Sequence, residues 1–219
     1  MREGVDFTPW VQTDAQTLTL GLLVLGGLWL LRVAFPRESK RLDWAWTRPR
    51  NLTSRNATET PRTLGVMLSF LVSVVGVSCG LSLLWPQHEW AETMMWSFGW
   101  LGMSAAMHWI GVRALLGVGE QGSAWIEIQR HNHTWMSVTL GVWGVLAALS
   151  PHLQHSGWVP TCTWMVFGLA MVCGSWRSSQ LWSSRHPHRV LGILYLCTLE
   201  WGWSFFWLAW SWDSALRGH

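Results

Sequence analysis

Residues 63–88 read TLGVMLSFLVSVVGVSCGLSLLWPQH, a run with no Asp, Glu, Lys or Arg. A helix that crosses a bilayer needs about 20 mostly apolar residues. The run is long enough and closes on Trp85-Pro86, where proline cannot continue the helix. Three more stretches lack every charged residue: 15–31, 93–112 and 131–176. The last is too long for one helix and breaks at Ser150-Pro151-His152, where turn formers cluster. The spacing predicts six transmembrane helices, at about 17–35, 63–85, 93–116, 134–149, 158–176 and 190–212. The expected fold is an all-α, polytopic integral membrane helix bundle, with 1–219 as one transmembrane domain.

Composition agrees with that reading. Charged residues make up 12% of the 219, about half of an ordinary globular share. Mean hydropathy is only +0.19 because 21 residues are tryptophan, which such scales treat as nearly neutral. Disordered, collagenous and disulfide-scaffold classes are excluded. Six spans put both termini on one side. The first, third and fifth connections, on the other side, carry eleven Lys and Arg, against Arg2 and Arg217 opposite. By the positive-inside rule the basic side is cytoplasmic and both termini face outward. This predicts a multi-pass protein of the bacterial inner (cytoplasmic) membrane. Trp10, Trp85, Trp90, Trp158, Trp182 and Trp212 stand where an interfacial belt is expected. The connection 37–62 is net basic and mixes Arg37, Lys40 and Arg41 with Leu42, Trp44 and Trp46. It is expected to lie on anionic headgroups and is not a nucleic-acid patch.

Near the C-terminus the chain reads Leu194-Tyr195-Leu196-Cys197-Thr198-Leu199-Glu200. This resembles the closing motif of domain-of-unknown-function family 4271, uncharacterised small polytopic bacterial membrane proteins. Phe35-Pro36 ending the first span, followed by a basic segment, is similar too. Tyr195, Cys197 and Glu200 are the family-motif residues. Trp201-Gly202-Trp203 stands where the family has an aliphatic-Pro pair. The resemblance implies fold and membrane location and gives no reaction.

Glu200 falls near the middle of the last span, and an intramembrane carboxylate calls for a partner. His108 and Arg113 in the third span are the candidates. The bland alternative is a protonated Glu200, or an ion pair that only ties helices together. A second polar cluster is expected on the cytoplasmic side: Glu127, Arg130, His131 and His133 in the short connection Gly119–His133, with His186 and His188. Imidazoles are common metal ligands, yet solvated interfacial histidines are the commoner case, and no metal or other cofactor is expected. Cys79 and Cys162 both fall near outer helix ends, where a disulfide is conceivable and small buried thiols are the blander alternative. Gly76-Val-Ser-Cys-Gly80 permits close helix approach.

There is no nucleophile–base triad, phosphate loop or HExxH, so no catalytic residue is assigned. The expected function is that of a non-enzymatic subunit or assembly factor of a cell-envelope complex, with a membrane or envelope protein as partner. One alternative is a small proton-coupled transporter or channel using Glu200 and His108. Another is a membrane metal or haem protein using the cytoplasmic-side histidines.

Overall fold

The computed structural model describes residues 8–47, 63–85, 88–116, 120–150 and 158–182. These form six helices and no strand: α1 (Thr8–Ala34), α2 (Pro36–Thr47), α3 (Thr63–Leu84), α4 (Trp90–Leu116), α5 (Glu120–Leu149) and α6 (Trp158–Trp182). Two of them, over Ala15–Ala34 and Thr63–Leu84, are long and apolar enough to cross a membrane. Tryptophan, nearly neutral in hydropathy, lowers the mean hydropathy of α4 (Trp90, Trp96, Trp100, Trp109) and α6 (Trp158, Trp164, Trp176, Trp182). In α5 the first half is polar. The region expected to hold the sixth span, 190–212, lies outside the described residues.

Local chemistry sets the boundaries. Pro36 opens α2, where its missing N–H is one of the donors a helix start leaves unbonded anyway. Glu38 in the first turn of α2 and Arg32 in the last turn of α1 complement the helix dipoles. At the end of α3 the Trp85 amide donates to Leu81 O (2.8 Å), and Pro86 follows.

α5 is the hub, packing against each of the other five helices. Its closest neighbour is α3. A Cβ on Gly76 of α3 would run into both the side chain and the backbone of Ser137, so only glycine allows this approach. The seam is polar. Ser69 and Thr134 share a hydrogen bond at 2.8 Å, Ser73 Oγ lies 3.1 Å from Thr134 Oγ1, and Ser137 Oγ donates to Ser73 O at 2.9 Å. Further along α3, Ser78 donates to Ser97 of α4 (2.9 Å), and Gln16 of α1 reaches Ser82 (3.4 Å). Beside the seam, Val74, Val77, Leu81, Trp100, Leu101, Met136, Leu140 and Phe167 form an apolar core.

The outside has the opposite character. Leu22, Leu23 and Trp29 of α1, Met67 and Leu71 of α3, Met95 and Phe98 of α4, Leu146 of α5 and Met165 and Leu169 of α6 are all exposed. The bundle thus buries both an apolar core and a row of hydroxyls while leaving many large apolar side chains on its outer faces.

Two sequence expectations change. Gly119–His133 reads as a connection, yet α5 begins at Glu120 and is helical throughout. Residues 36–47 also form a helix; it folds back so that Asp43 approaches Arg32 (3.8 Å).

Candidate functional site

The densest chemistry lies where α2 crosses the starts of α3 and α5. Helical spacing explains the face α2 turns inward: Glu38, Ser39, Arg41, Leu42 and Ala45 recur at three- and four-residue intervals and are buried. Arg37 and Lys40 fall on the exposed side, where Lys40 Nζ sits 5.4 Å from the centre of the Trp44 ring. On α5, Glu127, Arg130 and His131 occupy one face at i, i+3 and i+4. Gly65 of α3 makes room for the crossing, since a Cβ there would lie 2.7 Å from Glu38 Cγ.

The two faces lock through charge. Arg130 Nη2 donates to Glu38 Oε2 at 3.1 Å. Arg41 Nη1 lies 3.4 Å from Glu127 Oε1 and 3.8 Å from Glu38 Oε1. His131 Nε2 is 3.5 Å from Glu127 Oε1 and 3.3 Å from Arg130 Nη2. The Glu38 and Arg41 side chains are 5% and 8% exposed, and Glu127 11%. Apolar contacts flank the ions: Ala45 packs on Ile128, and Trp44 lies against both. Trp135 Nε1 donates to Leu42 O at 3.1 Å, and its ring centre lies 5.6 Å from that of Trp46.

Two arginines face two glutamates here, so the charges balance if the histidine is neutral. Burial drives the His131 imidazole down to about 4, against the smaller upward pull of Glu127, so it is neutral near pH 7. Burial also pushes Glu127 up, but His131, Arg41 and Arg130 together outweigh it and hold the carboxyl below its ordinary value. Glu38 goes the other way: burial raises it more than Arg130 and Arg41 lower it. Burial lowers the Arg130 guanidinium, opposed by Glu38 and Glu127. Among the described residues, His131 Nδ1 and Arg130 Nε take no hydrogen bond.

A second pair of imidazoles lies beside this cluster. His108 of α4 is buried; its Nδ1 is 2.6 Å from Ser104 O, and only an N–H can bond a carbonyl, which fixes the tautomer. Ser104 Oγ is 3.4 Å from His108 Nδ1 and 3.5 Å from His133 Nε2. The ring centres of His108 and His133 are 6.2 Å apart, and Trp100 stands edge-on to His133 at 5.5 Å. His131 and His133, two residues apart on one helix, therefore point to different neighbours. Among the described residues no three His, Cys, Asp or Glu converge on a metal position.

Sequence reading placed Glu127, Arg130 and His131 together and the structure keeps them so. It missed their partners Glu38 and Arg41, whose i, i+3 spacing beside Leu42 and Ala45 was the available signal. His133 belongs with His108. Arg113 lies on α4, but its side chain, like Glu200, His186, His188, Tyr195 and Cys197, lies outside the described residues. Cys79 and Cys162 are both free thiols, so the conceivable disulfide between them is not formed. Trp85, expected in an interfacial belt, is buried in the core, whereas Trp90 and Trp158 are exposed. No protein-family model matches the sequence, and comparison with curated proteins and with solved structures gives no match either.

Proposed function

We propose that this chain is a multi-pass protein of the bacterial inner membrane, a six-helix bundle with both termini outside. In this reading it is a non-enzymatic subunit or assembly factor of a cell-envelope complex. The many large apolar side chains exposed on the outer faces of α1, α3, α4, α5 and α6 support the membrane part. So does the spacing of exposed indoles. Trp90 and Trp109 on α4, and Trp158 and Trp176 on α6, are all exposed. At 1.5 Å per residue each pair is about 27–29 Å apart, close to the hydrocarbon thickness of a bilayer. The Leu194–Glu200 motif adds the proposed kinship with domain-of-unknown-function family 4271.

One observation carries the subunit reading. Arg41, Arg130, Glu38 and Glu127 direct their charges at one another, so the cluster acts as a clamp that fixes α2 across the cytoplasmic end. It presents Arg37 and Lys40 outward, toward anionic headgroups or an acidic partner. A second reading, a small proton-coupled transporter or channel using Glu200 and His108, is favoured by the burial of His108 within α4.

Reporter fusions after Arg50 and at the C-terminus should report opposite sides of the membrane; the same side for both removes the six-span reading. Tagged protein at native expression level, purified in mild detergent, should bring down a stoichiometric envelope protein, and Glu127→Ala should lose it. A monodisperse protein without a companion contradicts the subunit reading.

A further inference from the structure

The two sides of α2 carry charge differently. The inner side commits Glu38 and Arg41 to partners on α5. The outer side carries Arg37 and Lys40, both exposed and neither with an acidic partner among the described residues. Lys40 Nζ stands 5.4 Å from the centre of the half-buried Trp44 ring. Arg37, Lys40 and Asp43 follow one another at three-residue steps along one side of the helix. Asp43 Oδ1 lies 3.8 Å from Arg32 Nη2 of α1, which extends the row by a third exposed cation. Those two side chains are 57% and 47% exposed, a loose surface pair that holds the guanidinium weakly. The same contacts fix the depth of α2. Asp43 meets the last turn of α1, and Glu38 crosses the first turn of α3 at Gly65. Next to that crossing the outer surface turns apolar: Leu30 and Val33 of α1 and Leu64 and Met67 of α3 are exposed, as is Trp29, one turn before Arg32.

A boundary between exposed cations and exposed apolar side chains, marked by an indole, is the surface a protein presents at the headgroup level of a membrane. We propose that α2 is an interfacial helix whose row of Arg32, Arg37 and Lys40 binds the phosphates of anionic phospholipids, with the acyl chains against α1 and α3. Charge selects the lipid. Guanidinium and ammonium donors pair with phosphate oxygens, and a zwitterionic lipid brings a cation of its own to the same place. The clamp keeps Glu38 on the inner side against Arg130, away from the bound anion. An acidic protein would match the cations but leave the neighbouring apolar side chains of α1 and α3 uncovered. The inference rests on the membrane placement proposed for the chain and goes beyond it in assigning this face to lipid and not to protein.

The test reconstitutes purified full-length protein into vesicles of phosphatidylcholine, alone or mixed with phosphatidylglycerol, and reads insertion by flotation. Native mass spectrometry then compares how much of each lipid the protein retains from an equal mixture of the two. Wild type should retain phosphatidylglycerol in excess. One basic group near an anionic surface is equivalent to about a fivefold change in affinity, so Arg37→Gln combined with Lys40→Gln should lower the retention ratio about tenfold or more. Arg32→Gln should lower it less, because Asp43 already shares its charge. Arg217→Gln, on the opposite side in the proposed topology, should leave it unchanged. Arg32, Arg37 and Lys40 are exposed, so these variants should fold normally, as thermal melts will show. A preference for phosphatidylglycerol that is absent, or unchanged in the double variant, overturns the proposal. A double variant that keeps the preference but loses a co-purifying envelope protein assigns the face to an acidic partner, and overturns it too. Protein that enters neither kind of vesicle removes the membrane reading and this inference with it; protein that enters both without lipid preference removes this inference alone.

Discussion

The clamp end and the middle of the bundle are both polar inside, but they use polarity differently. At the clamp, Glu38, Arg41, Glu127 and Arg130 depend on one another for neutralisation, and each spans two helices or two partners. In the α3–α5 seam, Ser73 donates to Ser69 O at 2.9 Å, and Thr134 to Arg130 O at 3.1 Å, one turn back on their own helices. Those hydroxyls remain satisfied if a neighbour is lost; the ions do not. The lesson is that interdependence, more than the number of polar groups, decides how sensitive each region is to substitution.

The largest effect is expected where interdependence is greatest. Glu127→Ala leaves Arg41 and Arg130 buried with one anion between them. Breaking a buried pair costs about 3–5 kcal/mol, so unfolding in detergent should shift strongly and the α2 amides should lose hydrogen-exchange protection. A near-neutral result would place the clamp with ordinary surface ion pairs.

Gly76→Ala probes the seam through packing instead of polarity. Its Cβ would strike Ser137, including backbone atoms that cannot swing aside. Overpacking of this kind costs about 1–3 kcal/mol, read from the same unfolding curves. A silent Gly76→Ala would mean that α3 and α5 are not in tight contact.

Acid should separate the regions without mutation. Unfolded His131 binds a proton near its ordinary 6.5, while in the fold it does so only near 4. The unfolded chain therefore binds more protons between those values. The stability His131 contributes is complete above about 6.5 and falls as pH drops toward 4. Glu127, held low, adds loss in the same direction below its ordinary value; Glu38, held high, opposes it. Exchange protection of α2 should weaken from pH 7 to 5 before that of the α3–α5 seam, and His131→Asn should flatten the dependence. The smallest effect belongs to Ser137→Ala, which removes one interhelical hydrogen bond, about 0.6 kcal/mol on average in membrane helices.

Much of the bundle was legible as runs without charge. Thr63–Leu84 was expected as 63–85 and Trp158–Trp182 as 158–176, because apolar length and proline stops are local signals. The helices carrying the clamp were not. Pro36–Thr47 and the first half of α5 are too polar to read as buried, and their burial comes from matching charges distant in sequence. Trp85 misleads for the same reason: position suggested a belt, while packing against Leu81 and Trp100 draws it inside. His108 was legible as a polar residue within a span, but its pairing with His133 depends on how α4 meets α5.

The most direct test of the clamp is a double-mutant cycle on Glu38 and Arg130, joined at 3.1 Å. Glu38→Leu and Arg130→Met should each destabilise the protein by several kcal/mol, on the order of 3–5, because each strands a buried charge. The double variant removes both, and its loss should fall short of the summed single losses by at least about 1 kcal/mol. Single losses that add to within about 0.5 kcal/mol would show that the two side chains act independently, and would contradict the clamp.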